Sequence, residues 1–204
     1  MSLAVDRYEL GPVGTNCYVV RLQPGAAEAV VIDPGAATDE LPNACAAILI
    51  THSHWDHLGG VADLAEATGA PVYMPEAERI LLEQPERFTP PGVVVRPREP
   101  DVLLTGGETL DLAGIRFEVL AVPGHSPAHL AYHADGCLFS GDVLFAGSVG
   151  RTDLPGSSWD VLLDSIRSLV DRLGADTVVY PGHGPATTLG AELARNPFLV
   201  ELRA

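Results

Sequence analysis

The chain has 204 residues, 47% of them hydrophobic, which suits one compact α/β domain spanning 1–204 with a continuous core. Only 12 Lys+Arg stand against 27 Asp+Glu, a formal charge of −15, which argues against nucleic acid or an anionic membrane as partner. The first residues lack a basic start followed by an apolar core, no run approaches a membrane span, and a cytoplasmic location is therefore expected.

Tyr8 to Leu10 and Asn16 to Leu22 read as strands around the turn Gly11-Pro12-Val13-Gly14, and Cys17 in the second reads as a small core residue. Cys45 and Cys137 read the same way, because three widely spaced cysteines with no C-x-x-C pair suggest neither disulfides nor a thiolate metal site. Ala29 to Asp33 is a third strand, ended by Pro34-Gly35. Asp33 before that turn fits local backbone chemistry, with a bond to a ligand histidine as the alternative. A short helix is expected over Asp39 to Ala44. The strand Ala47 to Ile50 follows, and it runs directly into Thr51-His52-Ser53-His54-Trp55-Asp56-His57.

Three of the seven histidines fall within that one segment. Imidazole and carboxylate are the usual ligands of zinc and its neighbours, so H-x-H-x-D-H at a strand's end points to a metal site rather than a solvated turn. Leu58 to Thr68 has helical spacing with Gly69 as its stop, Pro71 to Met74 reads as a strand, and Pro75 to Gln84 as a helix. The proline-rich stretch 85–100 reads as a surface connection, with a pocket wall as the alternative.

Farther on, Glu108 to Leu112 and Ile115 to Val122 are predicted strands, and the second delivers Pro123-Gly124-His125. Leu130 to His133 and Cys137 to Ser140 form a predicted hairpin across Ala134-Asp135-Gly136 that delivers Asp142. Leu162, Leu163, Ile166, Leu169, Val170 and Leu173 mark one face of a helix that starts at Trp159 and stops at Gly174. Thr177 to Tyr180 is the last strand, capped by Pro181-Gly182-His183-Gly184. His129 either supports a ligand from behind or is a hydrogen-bonded structural histidine, and His133 reads as a plain strand residue.

The ordered set His52-Ser53-His54-Trp55-Asp56-His57, His125, Asp142, His183 resembles the metallo-β-lactamase superfamily over nearly the whole chain. That resemblance implies an αββα sandwich, two β-sheets face to face with helices outside. It also implies that His52, His54 and His125 hold one metal, that Asp56, His57 and His183 hold another, and that Asp142 bridges them. Two divalent ions are implied, zinc foremost with iron or manganese as alternatives. Such a pair lowers the pKa of a shared water to about 7 and provides a hydroxide nucleophile. Asp56 is the expected catalytic residue, orienting that nucleophile and handling its proton.

Asp142 stands where the main zinc β-lactamases carry a cysteine at the second metal, which disfavours penicillins. The stretches Gly147-Ser148-Val149-Gly150-Arg151-Thr152-Asp153 and Pro181-Gly182-His183-Gly184, with Asn196-Pro197-Phe198, look like the small bacterial glyoxalase II-like hydrolases. The expected substrate is a small acyl thioester, the type reaction of that group being hydrolysis of S-lactoylglutathione. The resemblance places a carrier-binding cation at Arg151, and pairing with Asp153 is the competing role for its guanidinium. The C-terminal helical segment of full-length glyoxalase II and the aromatic after its last metal histidine have no counterpart here, which leaves the thiol carrier open. A persulfide dioxygenase with one iron on His52-, His125- and Asp142-type positions is the rival reading, and a lactonase a further one.

Overall fold

A computed structural model describes residues 3–203. Strands β1 (Ala4–Leu10), β2 (Thr15–Arg21), β3 (Ala29–Ile32) and β4 (Cys45–Leu49) lead to helices α1 (Trp55–Leu58) and α2 (Val61–Thr68), then β5 (Val72–Pro75). Helix α3 (Ile80–Glu83), β6 (Val102–Leu104), β7 (Thr109–Leu112), β8 (Ile115–Ala121), β9 (Leu130–Ala134) and β10 (Cys137–Gly141) follow. A small hairpin of β11 (Leu144–Phe145) and β12 (Ser148–Val149) precedes α4 (Trp159–Arg172), β13 (Val178–Pro181), β14 (Thr187–Thr188) and α5 (Leu189–Arg195). One sheet has the order β1-β2-β3-β4-β5-β6 and the other β14-β13-β10-β9-β8-β7. Both mix antiparallel and parallel pairs.

Side-chain alternation along the strands explains the layers. Tyr18, Val20, Val30 and Ile32 point from the first sheet into a shared core with Phe117, Val119, Tyr132 and Phe139 of the second. Their neighbours Val19, Val31 and Ile48 point the other way, onto Val61, Leu64 and Ala65 of α2. On the far side Leu120, Ala131, Leu138 and Val179 receive Leu162, Leu163, Ile166 and Leu169 of α4. Helix, sheet, sheet and helix are therefore joined by three apolar layers, the αββα sandwich. Among the described residues no helix is long and apolar enough to cross a membrane.

The predicted hairpin at Ala134-Asp135-Gly136 forms, with Asp135 and Gly136 at positive φ of 45° and 77°. Gly69, at φ 71°, ends α2 by donating its amide to Ala65 O. Other expectations are corrected. No helix forms over Asp39 to Ala44, where Pro42 lacks an amide to donate and a turn instead buries Leu41 against the α2 layer. The expected helix 58–68 begins earlier and breaks at Gly59-Gly60, where Gly60 N donates to Pro34 O at 2.8 Å and the chain passes so close to Gly35 and Ala36 that a Cβ at either glycine would overlap their backbone. The expected helix 75–84 splits into a 3-10 turn, Glu76–Glu78, and the single turn of α3.

Candidate metal centre

Each predicted ligand sits just beyond a strand end, on the same edge of the sandwich. His52, His54, Asp56 and His57 follow β4, His125 follows β8, Asp142 follows β10 and His183 follows β13. The loops are seated by close backbone contacts. At Gly124 a Cβ would overlap Leu162 of α4, Ser158 N donates to Gly124 O at 2.8 Å, and Ser165 Oγ donates to Pro123 O at 2.7 Å. A Cβ on Gly182 would overlap Asp142 Oδ1, and one on Gly150 would overlap Asp142 O. Only glycine lets these chains pass.

His52 Nε2 and His125 Nε2 lie 3.0 and 2.9 Å from His54 Nδ1. Asp56 Oδ2 lies 3.2 Å from His183 Nε2 and 3.5 Å from His57 Nε2. Between the two sets, Asp142 reaches His125 Nε2 and His183 Nε2 at 3.6 Å with Oδ2, and His57 Nε2 at 3.4 Å with Oδ1. Four donors on a tetrahedral ion with bonds of 2.0–2.1 Å stand about 3.3–3.4 Å apart, so these separations suit metal ligation.

The protons point to the same conclusion. Thr51 Oγ1 donates to Asp33 Oδ2 at 2.7 Å, which leaves it to accept from His52 Nδ1 at 3.1 Å. His57 Nδ1 donates to Asp33 Oδ2 at 2.9 Å, and His125 Nδ1 donates to the carbonyl of Arg151 at 2.9 Å. With Nδ1 engaged in this way, all three histidines direct Nε2 inward, the atom that a cation would take as ligand. The buried atoms His57 Nε2 and Asp142 Oδ1 have no hydrogen-bond partner. Imidazole nitrogens and carboxylate oxygens converging on the same points fit a cation. His52, His54 and His125 can hold one ion, Asp56, His57 and His183 a second, and Asp142 can touch both.

Burial, reinforced by neighbouring imidazoles, pushes His52 well below its ordinary pKa and His54 down to about 4. Both are neutral at pH 7, as ligands must be. Burial also pulls His57 down, but Asp33 and Asp142 outweigh it and hold the ring above its usual value. The hydrogen bond to Asp56 raises His183. Burial would raise Asp56 and Asp142, yet the facing histidines, with Thr15 at Asp56, keep both carboxyls below the ordinary range. The cluster opens to solvent on the His183 side, where that side chain is 31% exposed.

Several residues support the candidate donors, and two of them, Thr15 and Asn16, escaped the sequence reading. Asp33 does reach a ligand histidine, the alternative set against its turn role. Thr15 Oγ1 donates to Asp56 Oδ2 at 2.7 Å. Asn16 Nδ2 donates to Pro181 O and Gly184 O at 2.8 Å each, bracing the His183 loop. Two polar residues opening the buried strand β2 were the available signal. His129 stacks on His52 at 4.5 Å and accepts from Asp142 N at 3.1 Å, so it supports ligands from behind, whereas His133 faces Glu118.

Phe145, 6.1 Å from His183 between ring centroids, flanks that ligand from β11. From the proline-rich stretch, Phe88 and Thr89 line a pocket of about 50 Å³ together with Ser53, His54 and Trp55. Arg151 Nε and Nη2 donate to Asp153 at 2.7 Å each, while its carbonyl holds His125.

A family model described as the Metallo-beta-lactamase superfamily matches residues 10–183. The hydroxyacylglutathione hydrolase GloC of Haemophilus influenzae is 36% identical over 84% of this chain and 87% of its own. Among solved structures, the BLEG-1 B3 metallo-beta-lactamase is 38% identical with a TM-score of 0.87, covering 97% of this chain and 100% of its own. TTHA1623 in a di-iron-bound form is 40% identical with a TM-score of 0.82, covering 96% and 100%. A match across both sheets, from the end of β1 to His183, leaves one conclusion: the chain belongs to the metallo-beta-lactamase superfamily.

Proposed function

We propose that the protein is a dinuclear metal-dependent hydrolase of acyl thioesters, with Asp56 as its catalytic residue and His52, His54, Asp56, His57, His125, Asp142 and His183 as its ligands. The observation that carries the reading is the second donor set, complete beside the first and joined to it by Asp142. Two divalent ions there would lower the pKa of a water and polarise a substrate carbonyl. Asp56, held by Thr15, accepts the proton of the attacking water at a carboxylate oxygen and returns it to the leaving thiolate. The site's open His183 side admits the substrate, with Phe145 on its margin. The similarity to the Haemophilus hydroxyacylglutathione hydrolase supports a thioester substrate. Zinc is the proposed metal, and the di-iron form of TTHA1623 keeps iron as the alternative.

The test is metal content and turnover together. The expected result is two zinc ions per chain and hydrolysis of a simple acyl thioester at neutral pH without oxygen. His183→Ala should retain one ion. Asp56→Asn should lower kcat by about 10²–10⁴ with little change in KM. One iron per chain with strict oxygen dependence would establish the dioxygenase reading instead. Because the similar BLEG-1 is a B3 metallo-beta-lactamase, a β-lactam belongs in the same assay, and faster turnover of it than of any thioester would overturn the substrate assignment.

A further inference from the structure

We propose that Glu78 is a positioning residue for the first metal set, clipping together the two loops that carry His52, His54 and His125; this rests on the metal reading above. Glu78 lies in the 3-10 turn between β5 and α3 and is only 5% exposed. Its Oε2 accepts from Ser53 N at 2.8 Å, while Oε1 accepts from Ser126 Oγ at 2.7 Å and Ala128 N at 2.9 Å. Ser53 separates His52 from His54, and Ser126 follows His125. One carboxylate thus spans both ligand loops of the first set.

A buried carboxylate without a cation is costly unless strong hydrogen bonds replace its water. Among the described residues Glu78 forms no salt bridge, so these three donors are its compensation. Every donor comes from a ligand loop, 25 to 50 residues away in sequence. None comes from the turn that bears Glu78, as a merely local acid would require. The link matters because metal bonds tolerate only about ±0.2 Å. His54 Nδ1 and His125 Nε2, 2.9 Å apart, belong to different loops, and their separation follows the spacing of those loops. Glu78 sets that spacing before any ion arrives.

The proposal predicts a loss of affinity rather than of fold. A Gln at this position keeps the volume but turns its NH₂ toward the donors of one loop, severing that link. In the full-length chain carrying His183→Ala, where only the first set is complete, zinc affinity is measured against a competing chelator well below the apo melting temperature. Adding Glu78→Gln should weaken zinc 10- to 100-fold, the usual effect of losing a group that orients ligands. Adding Ser126→Ala instead, which removes one of the three donors, should weaken it less. Unchanged affinity in Glu78→Gln overturns the proposal even if the melting temperature falls, since a purely structural acid would behave so. If Glu78→Gln does not fold, Ser126→Ala decides: weakened zinc supports the clip and unchanged zinc overturns it. A His183→Ala background that binds no zinc would overturn the metal reading, and this proposal with it.

Discussion

Asp33 serves both ligand sets at once. Its Oδ2 accepts from His57 Nδ1 of the second set and, through Thr51 Oγ1, orients His52 of the first, while Oδ1 accepts from Thr51 N at 2.8 Å. The residue sits at φ 52°, where Asp and Asn are tolerated and Ala is strained by about 1–2 kcal/mol. Asp33→Asn should therefore preserve the backbone while turning an amide toward His57 Nδ1. That favours the tautomer with a proton on Nε2, and zinc affinity should fall about 10- to 100-fold at the second set. Chelator competition on Asp33→Asn measures it, and unchanged affinity would mean the ring is oriented by packing alone.

Arg151 poses a different question. With Nε and Nη2 held by Asp153, Nη1 is the edge available to an anion, and we propose that it meets a carboxylate of the thiol carrier. Arg151→Ala should then raise KM for an anionic thioester more than for a neutral one of similar size. Equal effects on both, with a lower Tm, would assign the arginine to its pair with Asp153. The candidate donors were legible because each follows a strand within a recognisable motif. Glu78 and Asn16 were not, because their partners lie 25 to 168 residues away and nothing local marks the pairing.

Among the elements, α4 was the most legible, since six apolar residues recur on one face of its sequence. It does more than cover the second sheet. Its N-terminal turn and Ser165 hold the Pro123-Gly124 backbone that presents His125. Ile166, fully buried in that layer, should cost about 2–5 kcal/mol when replaced by Ala. Thermal or urea unfolding of the metal-free protein reads this directly, and a loss below 1 kcal/mol would show that the layer closes over the missing side chain. Elements without such periodicity were misread or passed over. The segment over Asp39 to Ala44 and the small hairpin β11–β12 owe their shapes to distant partners. Glu192 of α5, for example, accepts from Gly147 N at 2.8 Å and from Thr187 Oγ1 at 2.6 Å, tying the turn after Asp142 to the strand after His183.

Across the whole molecule, the two donor sets draw on both sheets, so an ion bound between them joins the halves of the sandwich. The metal-free centre gathers Asp33, Asp56 and Asp142 around histidines of which His52 and His54 are neutral, in a chain already at −15. Metal should therefore stabilise the fold. At free zinc about 100-fold above its Kd the gain is about 2.7 kcal/mol. For a chain of this size that raises Tm by about 5–10 °C. Calorimetry with zinc and then with excess chelator checks it, and a Tm indifferent to both would mean the halves are already locked without metal.

The bracing of the His183 loop by Asn16 also gives the site a direction in time. During synthesis the first donor set has its last member once His125 has left the ribosome, but the second waits for His183, and its loop docks on a residue made among the first. A ribosome stalled between those points carries a chain with three histidines of the first set and an unfinished second. On the proposed ligand sets, the order of synthesis favours filling the first position before the second, and a nascent chain with His125 emerged but residue 183 not yet made offers only the first set complete.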